Sequence, residues 1–140
     1  MKHFEPYISR YCLHDTTVSK VDIKSGCIEL GFQKGVYLFD RDGLPTEKTG
    51  PCCMKIYVKD LDADRIHQHM EIKRIRNSKI KEVDFPDFLN RLSEHGLNIY
   101  LDYYSYFANS ILLFGSLQKS EIQIRITEID KIDFEMKETL

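Results

Sequence analysis

Four consecutive stretches between Leu97 and Met136 alternate apolar and polar residues, and this pattern constrains the fold more than any other part of the chain. Short turns separate the four predicted strands, which are Leu97–Tyr104, Ser110–Leu117, Ser120–Thr127 and Lys131–Met136. Side chains two residues apart lie on the same face of a strand, so each strand has an apolar face. A meander of this kind needs other elements to cover that face, and the rest of the chain must supply them.

The remaining sequence predicts further strands and one helix. Strand-like alternation occurs in residues 17–24, 27–32, 36–39 and 52–59. In Asp84–His95 the apolar residues follow the i, i+3, i+4, i+7 spacing of a helical stripe. Asp84 is a favoured N-cap, Pro86 lies in the first turn, and Gly96 is suited to the C-terminal end. Such a short helix depends on packing against the sheet.

We therefore predict an α+β fold of mainly antiparallel β-structure, a bent sheet or open sandwich with about seven to nine strands and one amphipathic helix near 84–95. Residues 1–140 are expected to form a single domain. Asp40–Pro51, rich in glycine, proline and charge, is predicted to be a long mobile loop. Residues 62–76 allow either a strand or a helix, and we favour a strand with a kink near Lys73.

The composition is that of an ordinary globular protein and excludes a membrane-spanning helix. Hydrophobic residues make up 42% of the chain and charged residues 30%, with a formal net charge of −2, as in an ordinary globular protein. No stretch approaches the ~20 apolar residues of a membrane span. Glu5 and Pro6 interrupt any apolar signal-peptide core, so we expect a cytoplasmic protein. The four cysteines are then expected to be reduced thiols.

No catalytic motif of the nucleotide-binding, serine-hydrolase or zinc-protease type is present, and no cofactor is predicted. His14 followed by Asp15 can supply a general base, although a local turn in which Asp15 accepts backbone N–H groups is the favoured interpretation. His67 and His69 would share one face of a strand and could bind a metal. The alternative function from these four residues is a small metal- or ligand-binding protein.

A basic run raises a second alternative. Five positive charges fall within residues 73–81, at Lys73, Arg74, Arg76, Lys79 and Lys81. Nucleic acid could bind there, although the run contains no aromatic residue to stack on bases. A charged edge strand, which discourages edge-to-edge aggregation, also explains the pattern.

An aromatic cluster near the first turn of the meander is the predicted site of partner binding. If Leu97, Ile99 and the later odd positions face the core, the opposite side of the strand presents Tyr100, Asp102 and Tyr104, followed by Tyr106. Exposed tyrosines beside a carboxylate are typical of protein contact surfaces. A second interpretation is that they cover another apolar layer.

Several segments also resemble small, largely uncharacterised bacterial proteins grouped with the immunity proteins of polymorphic or contact-dependent toxin systems. The resemblance rests on residues 11–18, 28–32, 85–89, 96–99 and 111–115. It implies a non-enzymatic cytoplasmic protein that binds and neutralises a toxin domain. We accordingly predict a protein-binding module, with another protein as partner, no membrane association, and a possible homodimer through an unpaired edge strand.

Overall fold

The computed structural model describes residues 10–105 and 107–138, and thirteen strands lie within this part of the chain. They are β1 Tyr11–Cys12, β2 Thr16–Val18, β3 Lys20–Lys24, β4 Cys27–Phe32, β5 Tyr37–Phe39, β6 Pro45–Lys48, β7 Cys52–Val58, β8 Met70–Arg76, β9 Lys79–Glu82, β10 Leu97–Ser105, β11 Ser110–Leu117, β12 Ser120–Ile126 and β13 Ile129–Met136. The number exceeds the prediction because strands of two to four residues are too short to show alternation.

The strands form three antiparallel sheets. One has the order β1-β5-β6, a six-stranded sheet has the order β2-β10-β11-β12-β8-β9, and a four-stranded sheet has the order β13-β7-β4-β3. The two larger sheets contribute their apolar side chains to one core cluster. Strand β4 is buried along its whole length. The predicted α+β class with mainly antiparallel sheets is therefore confirmed.

One α-helix, α1 (Phe85–His95), closes part of this core. Phe88 and Leu92 are fully buried, and the helix contacts β3 and β11. Gly96 ends the helix with φ of +72°, and its N–H donates to the carbonyl of Leu92 at 2.8 Å. Asp84 occupies the N-cap position, but its side chain makes no capping hydrogen bond, so that part of the prediction is wrong.

Two further segments differ from the prediction. Asp40–Pro51 is not one long loop, because β6 pairs with β5 and turns the segment into a hairpin. The ambiguous region divides into a short 3₁₀ helix, Ala63–Gln68, followed by β8. The carboxylate of Asp62 accepts the N–H of Asp64 at 3.0 Å and so begins this helix. Local capping, which an alternation pattern does not reveal, decides the structure here.

Strand β9 lies at the edge of the six-stranded sheet, as the charged run predicted. Asn77 and Ser78 connect it to β8, with φ of +52° and +63°. Positive φ at both central residues is the geometry of a two-residue hairpin that matches strand twist. The hairpin carries all five residues of the basic run.

Candidate functional site

A β-bulge at Tyr100 determines which side chains of β10 face the core. The pairing of β10 with β11 shifts register between Ile99, opposite Gly115, and Leu101, opposite Phe114. One additional residue reverses the inward and outward positions along the rest of the strand. The assumption that odd positions face the core throughout β10 is therefore wrong beyond Ile99.

Beyond the bulge, large side chains are left on the outer face of the sheet. Leu101 lies opposite Phe114 and Tyr103 lies opposite Leu112. The exposed fractions of Tyr100, Leu101 and Tyr103 are 46%, 39% and 64%. We call Tyr100, Leu101, Tyr103, Leu112 and Phe114 the aromatic face. Its residues are contiguous because they occupy adjacent positions on two paired strands.

Polar residues on the next two strands border the aromatic face. Arg125 of β12 lies opposite Leu112 in the register, and Glu71 of β8 lies opposite Arg125. Lys73 Nζ and Glu71 Oε1 form an ion pair at 2.8 Å. The hydrogen bond from Lys73 lowers the pKa of Glu71. The border is thus charged, and within it the ammonium group of Lys73 neutralises the carboxylate of Glu71.

On the other side of β10, Asp102 and Tyr104 point inward and meet His14. Asp102 Oδ1 lies 3.2 Å from His14 Nε2, and the Tyr104 hydroxyl donates to Asp102 Oδ2 at 2.7 Å. The Asp102 side chain is 14% exposed. Burial raises the pKa of Asp102, and the charge of His14 partly offsets that effect. These bonds tie the segment before β2 to β10.

A cavity of about 270 Å³ adjoins this polar chain. Tyr11, Cys12, Phe39 and Pro45 complete its lining. Burial raises the pKa of Cys12, so its sulfur remains a thiol near neutral pH and is not an activated nucleophile. Burial has the same effect on the pKa of the other three cysteines. The surroundings of the four cysteines therefore give no support for a redox-active or nucleophilic thiol.

The structure separates the histidines of the metal-binding alternative. His67 is exposed within the 3₁₀ helix, whereas His69 is buried at its C-terminal end. They do not share a strand face, so the geometric premise of that alternative is wrong. Across residues 10–105 and 107–138, no group of three or more histidine, cysteine or acidic side chains is arranged to hold a metal ion.

The predicted turn at His14–Asp15 is present, but its bonding differs from the prediction. Asp15 has φ of +60°, and its backbone N–H donates to the carbonyl of Ile99 at 2.8 Å. The carboxylate that reaches His14 belongs to Asp102, which lies far away in sequence. No spacing rule could have found that pair.

The predicted partner-binding residues do not all share one surface. Tyr100 is exposed on the aromatic face, Asp102 and Tyr104 turn inward, and Tyr106 lies outside the described residues. Sequence reasoning missed Leu101 and Tyr103 because it continued the alternation of the first residues of β10. The only available signal was the run of bulky residues at both odd and even positions.

No protein-family description, no curated protein and no solved structure matches this chain. Among the described residues, no helix has both the length and the apolar character needed to cross a membrane.

Proposed function

We propose that this chain is a protein-binding module that contacts its partner through the aromatic face. The main support is the combination of exposed Tyr100, Leu101 and Tyr103 with a charged border. An apolar, aromatic centre within a polar rim is the usual anatomy of a protein interface. Tyrosine supplies large contact area with few rotatable bonds, so its ordering on binding costs little entropy.

The tip of the β10–β11 hairpin extends this surface. Phe107 is fully exposed there, at 103% of its reference area. A phenylalanine held in water gains free energy when a partner covers it, on the order of 25 cal/mol for each Å² of apolar surface removed. In this proposal Leu101 and Tyr103 take the contact role that the sequence pattern gave to Asp102 and Tyr104.

The identity of the partner rests on the sequence resemblance alone. On that basis we propose a cytoplasmic, non-enzymatic, immunity-like role in which the partner is a toxin domain. The inward-facing bonds of Asp102 and Tyr104 then have a supporting role, since they hold β10 in the register that exposes the aromatic face.

Quantitative affinity capture from a lysate of the native host tests the proposal. Tyr103→Glu places a charge at the centre of the aromatic face and should remove the bound partner. Met136→Glu is the matched control, because Met136 is 49% exposed at the end of β13, on the four-stranded sheet. If a toxin gene lies beside the gene for this chain, co-expression should restore growth with the control variant but not with Tyr103→Glu. Identical bound proteins for the two variants would refute the proposal.

A further inference from the structure

The β8–β9 hairpin places like charges directly opposite one another. Arg74 pairs in register with Lys81, and Arg76 pairs with Lys79. These positions share a strand face with the buried Ile72, so all four cations extend from the core side of the sheet. Like charges at directly opposed positions destabilise a β-ladder. Sequences tolerate such local conflicts mainly where function requires them.

Two neighbouring positive side chains come from other elements. Arg91 of α1 lines one cleft with Arg74 and Lys81, and a second, adjoining cleft with Arg76 and Lys119. We call Arg74, Arg76, Lys81, Arg91 and Lys119 the basic cleft.

The cations of the basic cleft differ from the neighbouring Lys73 in their ion pairing. None of the five forms an ion pair within the described part of the chain, although Lys73, on the opposite face of β8, pairs with Glu71. Five positive charges without a direct ion-pair partner thus surround a shared depression, on a chain whose net charge is −2.

The volume and lining of the cleft limit the kind of ligand that it can bind. The larger part has a volume of about 610 Å³ and the smaller part about 240 Å³. The larger part is lined by the side chains of Phe88, Leu117 and Ile122, which are buried and leave almost none of their own surface exposed. Glu82, Asp84 and Asp87 also line it, near the start of α1. The five cations of the cleft therefore exceed the three carboxylates by two charges.

We infer that the basic cleft binds an extended acidic segment of a partner protein. Arginine binds carboxylates through paired hydrogen bonds, and three of the five cations, Arg74, Arg76 and Arg91, are arginines. A nucleic-acid strand fits less well. The one aromatic residue lining the cleft, Phe88, is fully buried and cannot stack on a base.

This site is independent of the aromatic face, because the two lie on opposite faces of the six-stranded sheet. A test of one therefore leaves the other unaffected.

Fluorescence anisotropy with the full chain provides the test. The probe is a short labelled peptide made of glutamate and leucine. It is compared with the same peptide carrying glutamine in place of glutamate, and with an oligouridylate of equal length. The wild-type chain should bind the glutamate peptide most tightly, and added salt should weaken that binding because it screens exposed charges.

The decisive variant is the double substitution Arg76→Glu/Lys81→Glu. It converts both like-charge pairs into opposite-charge pairs, so the midpoint of thermal unfolding should rise while peptide affinity falls by about tenfold or more. Lys34→Glu/Lys59→Glu is the control, since it changes net charge equally at exposed turn positions. Its affinity should stay within about twofold of wild type.

Three results would overturn the inference. One is equal affinity for the glutamate and glutamine peptides. Another is an equal loss of affinity in the two double variants. The third is that the oligouridylate binds more tightly than the glutamate peptide, and that this binding is lost in Arg76→Glu/Lys81→Glu but kept in Lys34→Glu/Lys59→Glu. That result would identify the cleft as a nucleic-acid site. Tyr103→Glu should leave peptide binding unchanged, so failure of this inference and failure of the proposed function are separately visible.

Discussion

The bulge at Tyr100 makes a prediction that separates the tertiary structure from the alternation in the sequence. Simple alternation places Ile99 and Leu101 together in the core, whereas the structure leaves Ile99 1% exposed and Leu101 39% exposed. Replacing a fully buried isoleucine by alanine costs about 2–5 kcal/mol, because burial is lost and a cavity remains. A substitution on the outer face usually changes stability by about 0.5 kcal/mol, and lost contacts with Phe114 raise this only modestly.

Thermal unfolding followed by circular dichroism can distinguish these values. At about 2.1 cal/mol/K of unfolding entropy per residue and 140 residues, each kcal/mol lost lowers the unfolding midpoint by about 3 °C. Ile99→Ala should therefore lower it by about 10 °C and Leu101→Ala by about 3 °C or less. Similar decreases in the two variants would mean that β10 has no bulge, and the aromatic face would lose its structural basis.

Three further predictions concern stability and thiol reactivity. Gly35→Ala should cost about 1–3 kcal/mol more in urea unfolding than Gly26→Ala, because a Cβ at Gly35 would overlap the backbone oxygen of Thr49 whereas Gly26 faces open space, and both have positive φ. Hydrogen bonds from lysines, first that of Lys55, lower the pKa of Glu135 from 4.5 to about 2. The folded state therefore binds fewer protons in this range, and stability should fall as pH decreases from about 4.5 to about 2. Lys55→Met should flatten that decrease in a pH series of thermal midpoints. Burial raises the pKa of Cys53 to about 11, so Ellman's reagent at pH 8 should label this thiol only after unfolding.

Each of these three predictions has a result that contradicts it. Equal costs for the two glycine variants would show that the space around Gly35 can relax. A pH profile unchanged by Lys55→Met would remove the lysine contact as its cause. Rapid labelling of Cys53 in the native protein would show that β7 opens locally, since the residue is buried in the folded structure.

Local sequence patterns were sufficient for the longer regular elements. The predicted bounds of β4, β7, β11 and α1 agree with the structure to within one residue. These elements carry their own periodicity, and turn or capping residues such as Gly26 and Gly96 bound them. The broad class, antiparallel sheets with one covering helix, follows from the same signals. Short strands such as β1 and β6 have too few residues to show a period, and only their pairing partners identify them.

The sequence by itself thus determined that the chain forms an antiparallel α+β structure with a helix near 84–95, because periodicity and end signals are local properties. Tertiary structure alone decided the surface on which function is proposed. The bulge at Tyr100 depends on how β10 meets β11, the contact of His14 with Asp102 joins distant segments, and the basic cleft exists because β9 folds back on β8 beside α1. Register and long-range packing arise between elements, so no pattern within one element can specify them.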